Sequence, residues 1–337
     1  MTTNRYQRQQ QVSQLGEQSQ QLLANAKILI IGAGGLGSPV SLFLAGAGVG
    51  NMTIIDDDKV SLSNLHRQIL FTEQDINIAK VDTAKKRLQA INSDVTINVI
   101  NQRLTIENAE TLVDQATVVV DCADNFLVSY VLSDLCFAKR IPLVSASVLT
   151  THGYLGVFCG TKEKPAPSLR AIFPSPSAEV NNCNTAGVTG PCVGIIGSYQ
   201  AQETLKVIMQ SDSQLLGKLM NLDLWDYRQH ITDFSNCAEP NQKADIIPLS
   251  KIPNDSLLLD VRSGQEVHDD PILSLSVQYK ISNIPLGELA NQLKHLDQNQ
   301  PISCICKSGQ RALNAAQLLI DQGFKNISVT SLSLIHI

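Results

Sequence analysis

Short apolar runs alternate with amphipathic segments through the first two thirds of the chain. Residues 27–31 read "KILII", too short for a helix and too apolar for a half-exposed strand, so they predict a central parallel strand covered on both faces. Further strands are predicted at residues 51–55 and 95–100 and in "TVVVDCADN" and "IPLVSAS", with helices near residues 80–91, 107–115 and 126–139. This alternation is typical of a doubly wound, Rossmann-like α/β sheet.

The apolar pattern stops in one polar stretch and then resumes. Residues 235–245, "SNCAEPNQKAD", have no apolar period and contain a proline, which predicts a linker. Beyond it, the strand "SLLLDVR" and the strand-loop-helix "PISCICKSGQRALNAAQLLIDQG" predict a smaller α/β unit. We therefore predict one domain over residues 1–235, a linker over 236–246 and a second domain over 247–337.

Composition narrows the class of protein. The 337 residues carry a net charge of −5, which argues against a nucleic-acid surface. No apolar run approaches the ~18 residues that span a membrane, and no secretory signal is recognisable at the start. The eight cysteines are therefore expected to be thiols, metal ligands or catalysts in a reducing cytoplasm.

A glycine-rich turn follows the first strand. Gly32, Gly34 and Gly37 form GxGxxG, which brings backbone N–H groups close to a phosphate, and the following helix presents its N-terminus to anions. Asp56 ends the next strand, where a ribose-binding carboxylate belongs in a dinucleotide fold. The turn alone fits an NAD-dependent dehydrogenase or an ATP enzyme, and a glycine turn that binds nothing is the third possibility.

The charges around this turn favour a triphosphate. Adenylation must neutralise a triphosphate with cations and a metal, whereas hydride transfer asks for few cations near the phosphates. The sequence supplies Asn64 and Arg67 after Asp56, and Lys80 at a helix start. At the end of a strand, where α/β sheets bind ligands, stand Asp124 and Asn125, and the Asp124 carboxylate suits Mg²⁺.

Six segments together resemble the ThiF/MoeB/HesA superfamily, the bacterial relatives of ubiquitin-activating enzymes. They are "RYQRQ", "GAGGLGSP", "AGVGNMTIIDDDKVSLSNLHRQ", "AKVDTAKKRL", "DCADN" and "NCNTAGVTGP", spread over most of residues 4 to 234. The resemblance implies an enzyme that uses ATP to adenylate the C-terminal glycine of a ubiquitin-like sulfur carrier, ThiS-like or MoaD-like and ending in Gly-Gly. The pathway it implies is molybdopterin or thiamine biosynthesis, or tRNA thiolation.

The same resemblance implies roles for individual residues. Gly35 would lie over the phosphates, and Asp56 would hold the ribose. Asn64, Arg67 and Lys80 would contact the triphosphate, and Asp124 would hold Mg²⁺. Arg8, in "RYQRQ", would reach into the site of a partner subunit, so a homodimer is implied.

The second unit resembles rhodanese domains through "LLLDVRSGQE", "ISNIPLGEL" and "CICKSGQRA". Its C-x-x-G-x-R loop maps the catalytic cysteine to Cys306, where loop amides, a helix dipole and Arg311 would stabilise a thiolate or persulfide. A persulfide donor such as a cysteine desulfurase is implied. Cys183, in "NNCNTAGVTGP", would resolve an acyl disulfide formed at Cys306, while Cys304 is expected to be a buried thiol.

The sequence departs from the family pattern at two places. Relatives with a structural zinc carry two CxxC pairs, but "EKPAPSLRAIF" has no cysteine and "NCAEP" leaves Cys237 alone, so zinc is not expected. The chain ends in "LSLIHI", where rhodaneses continue into a last helix, so the second domain is expected to be incomplete.

The alternatives to a carrier-activating enzyme are an NAD-dependent oxidoreductase and an ATP-binding scaffold without turnover.

Overall fold

The computed structural model describes residues 5–174, 187–272 and 278–332 of the chain. Within these ranges the strands form two sheets, one of eight strands and one of five. The first sheet runs in the order β3-β2-β1-β4-β5-β6-β7-β8. Its strands are β1 (Lys27–Ile31), β2 (Asn51–Ile55), β3 (Thr96–Ile100), β4 (Val118–Asp121), β5 (Leu143–Leu149), β6 (His152–Phe158), β7 (Lys218–Asp223) and β8 (Arg228–Asp233).

The first sheet is parallel on one side and antiparallel on the other. Strands β1 to β5 pair in parallel, and β6, β7 and β8 extend the sheet through antiparallel pairs. Its helices are α1 (Gln7–Gln10), α2 (Glu17–Asn25), α3 (Gly37–Gly46), α4 (Lys80–Ile91), α5 (Ile106–Asp114), α6 (Phe126–Lys139), α7 (Leu169–Ile172) and α8 (Gly190–Ile208). The Rossmann-like α/β class predicted from the alternating pattern is confirmed.

Sequence chemistry explains where these elements begin. All four residues of β4 are buried, as expected for a strand covered on both faces. Thr105 closes a capping box that starts α5, and the Asn125 side chain accepts a hydrogen bond from Leu127 N at the start of α6. The strand predicted over 95–100 begins one residue later, and the helix predicted over 107–115 lies one residue earlier.

The second sheet is entirely parallel in its pairings, in the order β11-β10-β12-β13-β9. Its strands are β9 (Asp245–Ile246), β10 (Leu257–Asp260), β11 (Lys280–Asn283), β12 (Ile302–Cys306) and β13 (Ile327–Ser331). The helices beside it are α9 (Gly264–Asp269), α10 (Leu286–Gln292) and α11 (Gln310–Asp321). Strand β9 lies within the segment predicted as a linker, so the second sheet takes up the end of that segment.

The two units share one buried apolar cluster. Side chains of α6, including Leu127 and Val131, belong to the same cluster as Ala312 of α11 and Val329 of β13. The connecting segment is held as well, because the Glu239 carboxylate accepts hydrogen bonds from the backbone N–H and hydroxyl of Ser168, at 2.7 and 2.6 Å. The shared cluster places the first turn of α11 beside the start of α6.

None of the helices within the described ranges combines the length and the apolar character needed to cross a membrane.

Candidate functional site

A cavity of about 980 Å³ opens where β1, β2 and β4 end, a volume in the range of small-molecule sites. The carboxyl edge of a parallel sheet is where α/β folds bind their ligands. Eight of the predicted nucleotide-site residues line this cavity: Gly32, Gly34, Gly35, Asp56, Arg67, Lys80, Asp124 and Asn125.

Two glycines of the turn are required by the backbone itself. Gly32 has φ +93°, and a Cβ there would lie 2.9 Å from the carbonyl oxygen of Cys122. A Cβ on Gly37 would overlap the carbonyl oxygen of Gly32. Gly37 therefore closes the turn by packing and does not line the cavity, while Gly34 and Gly35 form its wall.

Asp56 ties the second strand to the glycine turn. One carboxylate oxygen accepts a hydrogen bond from Ala33 N and the other from Asp58 N, both at 2.8 Å. Burial raises the pKa of this carboxyl, and the nearby Lys80 ammonium opposes the increase. Each oxygen keeps a further lone pair, so the carboxylate can also accept from a ligand hydroxyl.

The cations at the cavity are held by two neighbouring acids. Lys80 is almost fully buried, and its Nζ lies 2.7 Å from a carboxylate oxygen of Asp58. Arg103 pairs in the same way with Asp57 at 2.9 Å. Arg67 donates from its guanidinium to the Ser63 carbonyl oxygen at 3.1 Å. The pairs hold positive charge at one wall of the cavity.

Asp124 and Asn125 follow β4 and also line the cavity. The Asp124 side chain is exposed to the cavity, and no hydrogen bond or ion pair to its carboxylate is found in the described part of the chain. Asn125 caps α6 with its oxygen and donates through Nδ2 to the Ser308 carbonyl oxygen at 3.4 Å. Beneath them Asp121 is fully buried, which raises the pKa of its carboxyl, and it accepts a hydrogen bond from the Ser145 hydroxyl.

Besides Gly37, two predicted residues do not line this cavity. Asn64 ends a 3₁₀ turn, and its carbonyl oxygen accepts from the backbone N–H of Arg67 and Gln68, so the residue shapes the turn from outside the lining. Arg8 is exposed on α1, away from the cavity of its own chain. Cys183 lies outside the described residues.

Sequence reasoning missed several lining residues, of which three bear on the chemistry of the site. Gln68 is 4% exposed, and no donor reaches its buried Oε1 within the ranges that the structure describes, so it offers an acceptor to a ligand. Arg103 follows the carboxyl end of β3, a position that the strand-end rule could have identified. Lys307 belongs to the second unit, and no local pattern places it here.

These features fit a nucleotide triphosphate and a divalent cation. The turn leaves its backbone open where Gly34 and Gly35 lack Cβ atoms, and four lysine and arginine residues line the cavity. Mg²⁺ binds through one or two carboxylates plus substrate phosphates, which the unpaired Asp124 carboxylate can provide. The carboxylates of Asp56, Asp57 and Asp58 also lie within 4.8 Å of one another.

Cys306 ends β12 and is fully buried. Its Sγ accepts a hydrogen bond from Ala312 N in the first turn of α11, at 3.4 Å. The loop turns at Gly309, which has φ +82°. Cys304, two residues earlier in the strand, is buried as expected, and burial raises the pKa of its thiol.

Arg311 is held by an acid of its own unit. Its two terminal nitrogens donate to the two carboxylate oxygens of Glu266, at 2.7 and 2.6 Å. This pairing lowers the pKa of Glu266 to about 2 and raises the pKa of Arg311. The bidentate pairing therefore fixes the orientation of the Arg311 guanidinium beside Cys306.

Cys237 is exposed, in contrast to the other cysteines within the described ranges, which are buried free thiols. The expectation that the chain binds no zinc stays a prediction.

The ThiF family model matches residues 6–245 of this chain, which is more than half of its length. The chain belongs to the ThiF family. A model of the rhodanese-like domain matches residues 248–334. The resemblance to a ThiF-type protein fused to a rhodanese-like domain, predicted from the motifs, is confirmed.

Curated relatives of this ThiF-family chain include fused and single-domain proteins. "Adenylyltransferase and sulfurtransferase MOCS3" of Culex quinquefasciatus is 42% identical over 258 residues, covering 76% of this chain and 57% of that protein. "Sulfur carrier protein ThiS adenylyltransferase" of Escherichia coli is 42% identical over 204 residues, covering 60% of this chain and 80% of that protein. The chain thus spans little more than half the length of the Culex relative.

Solved structures agree with the ThiF-family fold. Escherichia coli MccB, in a crystal structure with ATP, superposes with a TM-score of 0.60 at 23% identity, over 70% of this chain and 74% of that one. At this identity the likeness concerns the fold alone.

Proposed function

We propose that this protein adenylates the C-terminal glycine of a ubiquitin-like sulfur carrier and then transfers sulfur to it from Cys306. The observation that carries the proposal is the cavity itself. A glycine turn, paired cations and an available carboxylate line the same cavity as the loop that follows Cys306. Activation and sulfur chemistry are thereby neighbours in one molecule. No second function is favoured by any observation.

The names of relatives support the class of reaction and the class of partner. The Culex protein is an adenylyltransferase and sulfurtransferase, and the Escherichia coli protein acts on the sulfur carrier ThiS. We infer a ThiS-like or MoaD-like carrier ending in Gly-Gly for this chain. Membership of the ThiF family argues against the NAD-dependent oxidoreductase that the glycine turn alone allowed.

ATP is the proposed nucleotide, with the ribose at Asp56 and the phosphates between the glycine turn and the basic wall. Arg67 and Lys80 supply positive charge, and Gln68 supplies a buried acceptor. Asp124 would hold Mg²⁺, which neutralises phosphate charge when bound. Zinc is not part of the proposal.

Adenylation needs positioning and charge more than proton transfer. The carrier's terminal carboxylate is already a nucleophile; it attacks the α-phosphorus of ATP, the bond to the bridging oxygen breaks, and pyrophosphate leaves. Lys80 and Arg67 stabilise the charge that develops on the leaving group. A general base is unnecessary, and none is assigned.

Sulfur transfer follows at the acyl-adenylate. A donor of the cysteine desulfurase class places a persulfide on Cys306; its terminal sulfur attacks the acyl carbon, and AMP leaves with the bonding electron pair. The Cys183 thiolate then attacks the Cys306 sulfur, forms a Cys183–Cys306 disulfide and releases the carrier thiocarboxylate. A cellular thiol returns the disulfide to two thiols.

Access to Cys306 is part of this proposal. Its side chain is fully buried, so loading of sulfur and its transfer require the loop after β12 to move away from α6.

Free thiols in the described chain fit a reducing compartment, and we propose the cytoplasm.

A homodimer is proposed from an apolar face on α3 and α8. Phe43 is 55% exposed, and Ile195 and Tyr199 are 41% and 42% exposed one helical turn apart. We propose that a second copy of the chain covers this face and that its α1 reaches the site. Arg8 would then act in the cavity of the partner, as the family resemblance implies.

The test is exchange of labelled pyrophosphate into ATP, with purified ThiS-like and MoaD-like carriers offered separately. Exchange with one carrier and not the other supports the reaction and identifies the partner. We expect Asp124→Ala to abolish exchange and Cys306→Ala to leave it unchanged. ATP binding without exchange, with either carrier, would favour the scaffold alternative and contradict the proposal.

A further inference from the structure

The cavity of the ThiF-family domain is completed by the second unit. Lys307 and Ser308, which follow Cys306 on the loop between β12 and α11, line the same cavity as Asp124 and Asn125. These residues are separated by more than 180 positions in the chain, so the juxtaposition comes from docking of the two units.

Two contacts dock this loop on α6, and a third holds it within its own unit. Asn125 Nδ2 donates to the Ser308 carbonyl oxygen at 3.4 Å. A Cβ on Gly309 would overlap Cδ2 of Leu127, so the loop backbone lies directly on α6. Ser331 donates from its hydroxyl to the Lys307 carbonyl oxygen at 2.9 Å, which fixes the loop to β13.

Lys307, like Arg67, is a cavity cation for which no carboxylate partner is found in the described part of the chain. Lys80 and Arg103 are each paired with a neighbouring aspartate. Lys307 is exposed, and within the described ranges no carboxylate lies within ion-pair distance of its Nζ. An ammonium that lines a nucleotide cavity without a partner is placed to pair with the phosphates of a ligand.

We propose that Lys307 is a nucleotide-binding residue, supplied to the adenylation site by the rhodanese-like domain. The inference rests on the proposed function, because it takes ATP as the ligand of the cavity. Its consequence is reciprocal: ATP favours the docked arrangement of the loop, and docking strengthens the binding of ATP.

The test is binding of Mg-ATP to the full chain by isothermal titration calorimetry. Lys307→Gln removes the charge, Lys307→Arg keeps it, and Lys325→Gln is the matched control, an exposed lysine of the same unit outside the cavity. We expect Lys307→Gln to raise the Kd for ATP about tenfold, the loss of one charge-assisted hydrogen bond. Lys307→Arg and Lys325→Gln should stay within about twofold of the unchanged protein, since both keep the cavity charge.

The outcomes separate the two proposals. If the unchanged protein binds ATP and Lys307→Gln binds it equally well, the role of Lys307 is wrong while the adenylation proposal stands. If Lys307→Arg loses affinity as Lys307→Gln does, the loop shape rather than its charge matters, and the inference is wrong. If the unchanged protein binds no ATP, the proposed function fails together with the inference.

Discussion

Individual side chains in this molecule owe their charge state to specific partners. Glu266 illustrates this, because the Arg311 guanidinium lowers its pKa from the ordinary value of 4.5 to about 2. A carboxyl with a lowered pKa in the folded state contributes stability above its unfolded pKa, and this contribution is lost as pH falls through the folded pKa. The Glu266–Arg311 pair therefore stabilises the second unit near neutral pH and loses that effect between about pH 4.5 and 2.

We predict that Glu266→Gln lowers the urea midpoint of the second unit at pH 7 and that the difference from the unchanged protein disappears as pH approaches 2. Both side chains are partly exposed, so the difference is expected to be modest, below about 1 kcal/mol. Glu288→Gln on the surface of α10 is the control and should show no pH-dependent difference. A difference for Glu266→Gln that is constant with pH would contradict the ion-pair account.

Spacing in the sequence predicts which residues of one local unit lie close together, while the roles of those residues stay predictions. Gly32, Asp56 and Lys80 lie within one strand-turn-helix unit and its next strand, so their spacing already places them at one edge of the sheet. Asn64 is predicted at the same site, but it does not line the cavity, and its carbonyl oxygen accepts hydrogen bonds within the turn. The side-chain direction within a 3₁₀ turn is not encoded in spacing.

At the scale of elements, the glycine turn and α3 depend on one close backbone contact. Gly37 begins α3, and a Cβ there would overlap the carbonyl oxygen of Gly32. Gly46 ends the same helix, and a Cβ there would meet no atom within 4 Å. One helix therefore offers a required glycine and a dispensable one.

We predict that Gly37→Ala destabilises the protein by about 2 kcal/mol and weakens ATP binding, because the turn must open to admit the methyl group. Gly46→Ala should be neutral or stabilise by up to about 1 kcal/mol, since alanine favours the helix. Chemical denaturation and ATP calorimetry on both variants give the result. Equal stability of the two variants would contradict the role assigned to Gly37.

Element boundaries were predicted to within one residue where a capping side chain or an apolar run ends sharply, as at Thr105. The predicted end of the linker was less accurate, because Asp245–Ile246 pair with β13 although this segment is short and has no apolar pattern. A two-residue edge strand is stabilised by its partner and carries no apolar period of its own. Such a strand becomes visible only when the neighbouring strand is in place.

For the whole molecule, the central feature is the shared wall between two units. No pattern in the sequence brings Lys307 to Asn125, since the contact depends on the shapes of α6 and the loop after Cys306. Cys306, directly before this loop, is fully buried. Because we propose that Cys306 is reached only when this loop moves away from α6, we expect nucleotide binding and exposure of the Cys306 thiol to oppose each other.

We predict that saturating Mg-ATP slows alkylation of Cys306 by iodoacetamide about fivefold or more, the lower end of typical coupling between sites. Cys237 is exposed and serves as an internal reference whose alkylation ATP should not change. Lys307→Gln should remove most of the protection. Protection that is unchanged in Lys307→Gln would show that ATP acts on Cys306 through another route.

The most direct test of the account is the mass of the carrier after incubation with ATP, a persulfide donor and each variant of this protein. The unchanged protein should replace one carrier oxygen by sulfur. Cys306→Ala should give adenylated carrier without thiocarboxylate, and Asp124→Ala should give neither product. Thiocarboxylate formed by Cys306→Ala at the normal rate would contradict the division of chemistry between the nucleotide cavity and the second unit.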